Sequence, residues 1–324
     1  MILNLTYFAL SCAALIICGI FLVKSLTKIA RFLGISEFSA AFIIMAFASS
    51  IPELFVGISS ALSGNPELSL GNIIGANILD LTLISGIIIL SAKEIRFETK
   101  KVGAEVYFML VSLLLVVVLY ALGQSLSRID GIILLALFSI HTFQMLRKRK
   151  KYQKKKMKNG KVQLSRFYWL IIFILALVGL FLSSNFVVKS SANLALDLGF
   201  PQIMIGLFLI SFATTLPELI FGVSATNLEH KVMAVGDQIG TVVVNSTMIL
   251  GIVAIIHPIS SEFMTFIISA IFMFVSAFIF VTFVKSGSKL EKYEGISLIL
   301  IYILFIIIEF FAFKSQQPLL MPLP

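Results

Sequence analysis

Ten long apolar segments restrict the folds available to this chain more than any other feature. A membrane-spanning helix needs about 20 apolar residues, and such runs occur at 5–23, 39–62, 70–92, 104–123, 129–146, 167–187, 203–226, 233–256, 263–284 and 295–313. Only 13% of the residues are charged, which is about half of the share in an average soluble protein. We therefore predict an all-α integral membrane protein with ten transmembrane helices.

Basic residues fall mainly on one side of the predicted membrane. They follow the first, third, fifth, seventh and ninth segments, and the densest run is RKRKKYQKKKMKNGK at 147–161. Only Arg128, Lys189 and Lys314 fall on the opposite side. Because cytoplasmic loops carry an excess of Lys and Arg, we predict a multi-pass protein of the cell membrane with both termini extracellular and the 147–166 loop cytoplasmic.

The net charge of +9 is thereby explained by topology, and we expect no nucleic-acid partner. The run at 147–161 is also a candidate for binding anionic lipid, because clusters of Lys and Arg attract anionic headgroups. Nothing in the sequence indicates an obligate protein partner.

The chain also contains an internal repeat at an offset of 165 residues. The stretch AFASSIPELFVGISS at 46–60 matches SFATTLPELIFGVSA at 211–225, and the register continues without gaps from 71–86 to 236–251. These matches predict two halves of common origin.

Each predicted half contains five helices, an odd number, so the second half enters the membrane from the opposite side. We predict two inverted five-helix repeats, 1–146 and 167–324, joined by the basic linker 147–166. Inverted repeats of this kind are typical of secondary transporters, in which the ion site lies near the bilayer midplane between the repeats.

Four acidic residues lie inside predicted helices, away from the loops: Glu53, Asp80, Glu218 and Asp237. A carboxylate at the centre of the bilayer costs about 2.5–3.5 kcal/mol on insertion scales and is a functional candidate for that reason. Glu53 and Glu218 occupy equivalent positions in the two repeats, which indicates one shared site.

Each of these two Glu residues follows two hydroxyl residues and a proline, Ser49-Ser50 with Pro52 and Thr214-Thr215 with Pro217. Proline lacks an N–H and clashes with the carbonyl four residues earlier, so we expect free carbonyls at 46–49 and 211–214. Two carboxylates with several neutral oxygens suit Ca²⁺, which takes about 6–8 oxygen ligands. No Cys or His lies near these motifs, which disfavours zinc or copper.

The following helix of each repeat adds further polar positions. Asp80 is equivalent to Asn245, and Thr241 is equivalent to Ala76. A spacing of four residues places 76 and 80, and likewise 241 and 245, on one helix face, so we expect them to complete a ring around the Glu pair. Asp237 is either an additional acid of this ring or an N-cap that faces water.

At these motifs the chain resembles the calcium/cation antiporter superfamily, and within it the sodium/calcium exchanger branch. SSIPE and TTLPE, each followed by a G-N/D-x-I-G pattern, are similar to the paired alpha-repeats of that family. The resemblance implies a transporter and not an enzyme, without a cofactor, that exchanges calcium and sodium by alternating access at one mid-membrane site.

The resemblance also implies ligands for each ion. Calcium would bind Glu53 and Glu218 with the carbonyls of Ser49 and Thr214. An outer sodium site would use Ser50, Thr215 and the carbonyl of Ser211, an inner one the carbonyl of Ala46 and the hydroxyl of Thr241, and a middle position Asp80 and Asn245.

The chain departs from the family pattern in three ways, of which the last two leave the coupling ion open. Asp80 and Asn245 stand in exchanged order, Ala76 replaces a usual Ser, and Asp237 replaces a usual Asn. The alternatives are a proton/calcium exchanger, whose members usually carry Gly-Asn before the Glu motif, and a potassium-dependent sodium/calcium exchanger. A cation channel is a further alternative from a different class.

Overall fold

The computed structural model describes residues 2–32, 46–96, 99–148, 163–227, 231–261, 263–286 and 289–316, and these residues are almost entirely helical. The beginning of the predicted second helix, 39–45, lies outside the described residues, and so do residues 149–161 of the lipid-binding candidate at 147–161.

The described residues form ten helices, numbered here in chain order. They are α1 (Ile2–Phe32), α2 (Ile51–Leu62), α3 (Pro66–Ala92), α4 (Thr99–Gly123), α5 (Arg128–Lys148), α6 (Gln163–Leu198), α7 (Gln202–Asn227), α8 (Lys231–Ile256), α9 (Phe263–Ser286) and α10 (Lys292–Gln316).

Nine of these helices are long and apolar enough to cross a membrane, and the chain is a multi-pass membrane protein. The exception among the described helices is α2, with 12 residues, which is preceded by a separate helical stretch at 46–49. The first and sixth helices are longer than predicted, with 31 residues in α1 and 36 in α6.

Three helices contain π-helical segments that hydropathy did not predict: Asp80–Ile84 in α3, Ile205–Ile210 in α7 and Val244–Ile249 in α8. The segments in α3 and α8 coincide under the 165-residue offset, since Asp80 corresponds to Asn245. A π segment carries one extra residue per turn and is frequent at functional sites. Both middle polar positions therefore lie at the same kind of local distortion.

Two short backbone pairings outside the helices each join the first half of the chain to the second half. The three-residue strands β1 (Glu94–Arg96) and β2 (Lys289–Glu291) are antiparallel, with Glu94 opposite Glu291. A single bridge joins Leu126 to Ile259. Adding 165 to 94 and 126 gives 259 and 291, so the two pairings join equivalent positions in reciprocal order.

The apolar core has two parts that place the site between them. One part surrounds α3 and α8. In each of these two helices, 83% of the most apolar stretch is buried. The other lies between α1 and α6, which pack along each other and against the starts of α2 and α7. The outer faces of the helices expose many large apolar side chains, as expected for surfaces in contact with lipid.

The helices α3 and α7 cross at very short distance through glycines. A Cβ atom added at Gly71 or Gly75 would collide with the backbone carbonyl oxygen of Ile203 or Leu207, respectively. A Cβ atom added at Gly206 on α7 would likewise collide with the backbone carbonyl oxygen of Leu68 on α3. This crossing brings the middle of α3 next to the segment of α7 that leads to Glu218.

Candidate cation site

Four carboxylates lie inside the bundle on four different helices, and each is 0% exposed. Glu53 lies in the first turn of α2, Asp80 in the π segment of α3, Glu218 in α7 and Asp237 in α8. Glu218 lies within electrostatic range of the other three acids, and Asp80 lies within electrostatic range of Glu53 and Asp237. We call these four residues the carboxylate cluster.

Asp237 is thereby placed within the cluster. It is the seventh residue of the α-helical part of α8, Lys231–Val243, and its side chain is fully buried. It is therefore not an N-cap that faces water, and the interpretation as an additional acid is the one that the geometry supports.

The carboxylate cluster lacks compensating partners within the described residues. None of its carboxylate oxygens there accepts a hydrogen bond of normal geometry, and none of the fully buried polar side chains in the described ranges is a Lys, Arg or His. A buried carboxylate without a partner is strongly unfavourable. Inside the membrane the negative charge of the cluster must be balanced by bound cations or removed by protonation of the carboxylates.

Hydroxyl groups of the two glutamate motifs make contacts between the two halves. The Ser49 hydroxyl lies 3.3 Å from that of Thr241, which links the stretch before α2 to α8. The Thr214 side chain faces the Glu53 carboxylate and donates to Asn72 Oδ1 at 3.1 Å. The site is thus assembled from residues that lie far apart in the sequence.

The carbonyls that the sequence analysis singled out face these hydroxyls. The Ser49 hydroxyl donates to Ala46 O at 3.4 Å. Thr214 and Thr215 both donate to Ser211 O, at 3.2 and 2.8 Å. Oxygen atoms of this kind are ligands that Ca²⁺ and Na⁺ use in proteins.

The two prolines act differently on their helices. The helical stretch at 46–49 ends at Ser50, and α2 starts again at Ile51, so the helix is interrupted just before Pro52. Pro217 instead lies inside the continuous α7. The Ser50 hydroxyl is buried and has no hydrogen-bond partner among the described residues, so it remains available to a ligand.

The middle of the site contains a side-chain network that sequence reasoning missed. Asn77 donates to the Ser246 hydroxyl at 2.9 Å, and Asn245 donates to Asn77 Oδ1 at 3.3 Å. These bonds orient Asn245 so that its Oδ1 atom keeps no partner in the described part of the chain. Because Asn77 corresponds to Val242 in the other repeat, a search for matched polar pairs passes over it.

Glu309 on α10 is a further buried acid that the sequence analysis did not single out. It is 2% exposed and accepts a hydrogen bond from Ser269 on α9. It therefore has a partner that the four carboxylates of the cluster lack.

Comparisons with known proteins agree with this geometry. A model of the family described as sodium/calcium exchanger protein matches the chain twice, at residues 3–146 and 168–311. The sodium/calcium exchanger MaX1 of Methanosarcina acetivorans is 26% identical over 90% of this chain and 94% of its own length.

Two solved structures are similar to the whole chain. The sodium-calcium exchanger NCX_Mj has 25% identity and a TM-score of 0.65, covering 94% of this chain and 98% of its own. The H⁺/Ca²⁺ exchanger CAX has 18% identity and a TM-score of 0.77, covering 99% of this chain and 82% of its own; at that identity it shows the fold alone.

A multi-pass membrane protein with an uncompensated carboxylate cluster and these relatives is a calcium/cation antiporter, a class of secondary transporter. The chain belongs to the sodium/calcium exchanger family.

Proposed function

We propose that this protein exchanges sodium for calcium by alternating access at the carboxylate cluster. The observation that carries the proposal is the burial of four carboxylates from both halves without a positive partner in the described residues. Such a cluster needs cations in every state in which it is closed to water. This requirement suits an antiporter. An empty, negatively charged site is energetically too unfavourable to change its access from one side of the membrane to the other.

The proposed ligands are those that the family resemblance implies around Glu53 and Glu218. Calcium binds these two carboxylates with the carbonyls of Ser49 and Thr214. The sodium ions use the remaining groups: Ser50, Thr215 and the Ser211 carbonyl on one side, the Ala46 carbonyl and Thr241 on the other, and Asp80 and Asn245 in the middle.

We assign the membrane arrangement in the same way. The halves 1–146 and 167–324 are inverted five-helix repeats, and the second transmembrane helix comprises α2 and the residues before it. The 147–166 linker is cytoplasmic and both termini are extracellular. Lys24 and Lys28, whose ammonium groups lie over the rings of Phe21 and Trp169, support this orientation because Lys and Arg are in excess on the cytoplasmic side.

Charge balance bears on the coupling ion. Calcium neutralises two of the four carboxylates, so two further positive charges are needed while calcium is bound. Protons or sodium ions can supply them, and Asp237 adds a charge beyond the family pattern. The proton/calcium alternative rests on this acid; the hydroxyl pairs before each Glu favour sodium.

Calcium uptake into proteoliposomes under separate outward gradients of sodium, potassium and protons tests the proposal. We expect uptake above the equilibrium level with the sodium gradient and little uptake with the other two. Uptake driven equally by a proton gradient, without a sodium effect, would establish the proton/calcium alternative. A requirement for potassium together with sodium would establish the potassium-dependent one.

The variant Asp237→Asn tests the role of the fourth carboxylate. Removal of one negative charge from the cluster weakens its attraction for a divalent ion, so we expect the apparent calcium affinity to fall by about 10-fold, which corresponds to about 1.4 kcal/mol. The maximal exchange rate should change little, because Glu53 and Glu218 remain. An unchanged affinity would show that Asp237 does not contribute to cation binding.

A further inference from the structure

Asn77 and Asn245 are two buried amides that join α3 to α8 in the middle of the cation site. Both are 0% exposed, and Asn245 Nδ2 donates to Asn77 Oδ1 at 3.3 Å. Asn77 Nδ2 in turn donates to the Ser246 hydroxyl at 2.9 Å and to Met273 Sδ of α9 at 3.5 Å. These bonds engage the nitrogen of Asn245 and leave its Oδ1 atom without a partner among the described residues. Asn245 thus presents an oxygen, and not an N–H group, for a further contact.

The orientation of Asn77 is determined by its contact with Met273. An amide side chain can exchange the positions of its oxygen and its nitrogen, and a serine hydroxyl suits both arrangements because it can donate or accept. A thioether sulfur has no hydrogen to donate and can only accept. The group of Asn77 that faces Met273 is therefore NH2, and this places Oδ1 of Asn77 toward Asn245.

Reversal of both amides would oppose cation binding. Asn245 follows Thr241 by four residues and Asp237 by eight, so it lies on the same side of α8 as these two residues. A reversed Asn245 would turn its NH2 group toward the carboxylate cluster, whose oxygens accept no hydrogen bond within the described ranges. An N–H group that donates to a carboxylate makes a strong hydrogen bond. That bond would have to break before a cation could bind at this position, and the observed orientation avoids the competition.

The two repeats differ at these positions in a way that fits an orienting role. Under the 165-residue offset, Asn245 corresponds to Asp80 and Asn77 corresponds to Val242. A carboxylate offers two oxygens and needs no orientation, and the equivalent partner position in that case holds an apolar valine. An amide has only one oxygen, and its partner position holds an asparagine. The polar partner is therefore present where the middle residue is an amide.

We propose that Asn77, itself oriented by Met273, is a positioning residue that presents the Asn245 oxygen to the cation in the middle of the site. This inference rests on the proposed function, which assigns sodium to Asp80 and Asn245. Asn77 lies outside the proposed ligand set and acts through Asn245. Its oxygen accepts from Asn245 and its NH2 group donates to Ser246 and Met273, so both ends of its amide are engaged.

Competition between sodium and radioactive calcium for the purified protein in detergent tests this role without requiring transport. Asn77→Val introduces the residue found at the equivalent position of the other repeat and allows the Asn245 amide to reverse. We expect the inhibition constant of sodium to rise by about 10-fold, the equivalent of one hydrogen bond to a charged group. Asn185→Val is the control, because Asn185 is an exposed asparagine of α6 whose amide donates to Phe181 O. Its inhibition constant should equal that of wild type.

The variant Asn245→Asp separates orientation from structure. A carboxylate at this position offers two oxygens, as Asp80 does, and needs no partner at position 77. In the Asn245→Asp background we expect Asn77→Val to raise the inhibition constant of sodium by less than about 2-fold, or to lower it. A merely structural role of Asn77 would give the same change in both backgrounds. That result, or an unchanged constant in Asn77→Val alone, would overturn the inference.

Met273→Leu allows the same comparison with a substitution that nearly keeps the volume of the side chain. Leucine cannot accept a hydrogen bond, so we expect a smaller rise of the inhibition constant, again lost in the Asn245→Asp background. This pair of variants decides the question if Asn77→Val does not purify as a single species, and equal changes in both backgrounds would again overturn the inference.

The two proposals fail in different measurements. If wild-type vesicles show no sodium-driven calcium uptake, but sodium competes with calcium in detergent and the variants behave as expected, the proposed exchange is wrong and the role of Asn77 stands. If exchange occurs and Asn77→Val competes like wild type, the role of Asn77 is wrong and the exchange stands. Sodium that does not compete with calcium in wild type would contradict both.

Discussion

Replacement of Glu53 by Gln is expected to reduce calcium exchange by about 100-fold or more. The amide has nearly the shape of the carboxylate, but it removes one of the two charges that we assign to calcium, and ligand charge sets calcium affinity over several orders of magnitude. Glu218→Gln should have the same effect, because the two residues are equivalent in the repeats. Initial rates of ⁴⁵Ca²⁺ uptake under a sodium gradient measure the loss.

Glu309→Gln is the matched control for these two variants. Glu309 is also a buried acid inside a membrane helix, but it accepts a hydrogen bond from Ser269 and lies outside the carboxylate cluster. Gln keeps an oxygen acceptor at this position, so we expect near-normal exchange. Normal transport by Glu53→Gln or Glu218→Gln would contradict the site assignment, and equal loss in all three variants would indicate a general intolerance of buried acid replacement.

The second large effect is expected at the crossing of α3 and α7. In Gly75→Val the new Cβ atom collides with the Leu207 carbonyl and lies 2.7 Å from the position of the Ser211 hydroxyl. Because a backbone carbonyl cannot rotate away, the helices must separate at a cost of about 3 kcal/mol or more. We expect an apparent melting temperature in detergent that is lower by about 10 °C, or a protein that does not purify as a single species.

Gly103→Ala provides the control for this prediction. Gly103 is also helical, but an added Cβ there has no neighbour within 4 Å among the described residues. Alanine in a helix is favoured over glycine by about 0.5–1 kcal/mol, so its melting temperature should be unchanged or slightly higher. A wild-type melting temperature for Gly75→Val would show that the close crossing does not determine stability.

Hydropathy and the repeat were sufficient to predict the helical membrane fold. Nine of the ten apolar runs correspond to helices that are long enough to cross a membrane, because the bilayer imposes one length and one composition on every span. The run at 39–62 corresponds, in the described residues, to the stretch at 46–49 and the 12-residue α2. The same criterion explains the errors at helix ends. The helices α1 and α6 extend beyond the predicted 5–23 and 167–187, since their flanking turns are too polar to be counted.

The site was predictable where the two repeats agree and less so where they differ. Glu53 and Glu218 stand out because the same acid recurs at equivalent positions. Asn77 corresponds to Val242 and Glu309 to Gln144 in the other repeat, so neither position repeats the same polar residue, and their partners become visible only when the helices are packed. The π segments at Asp80 and Asn245 depend on the same packing, because no local pattern of residues specifies an extra residue in a helical turn.

Asp237 shows how tertiary structure decides between two local interpretations. From the sequence, an Asp near the start of a predicted helix suits an N-cap as well as a buried acid. In the structure α8 begins at Lys231 and Asp237 is fully buried within it. The buried position, and not the local sequence, therefore excludes an N-cap that faces water.

The most direct test of exchange at this cluster is the simultaneous measurement of both ions in one vesicle preparation. Calcium entry and release of the internal monovalent cation would be followed by isotope, with and without that cation inside. We predict that calcium enters only when the counter-ion leaves, in a fixed ratio, and that Glu53→Gln stops both fluxes together. Calcium that equilibrates without any counter-ion, as through a channel, would contradict antiport at this site.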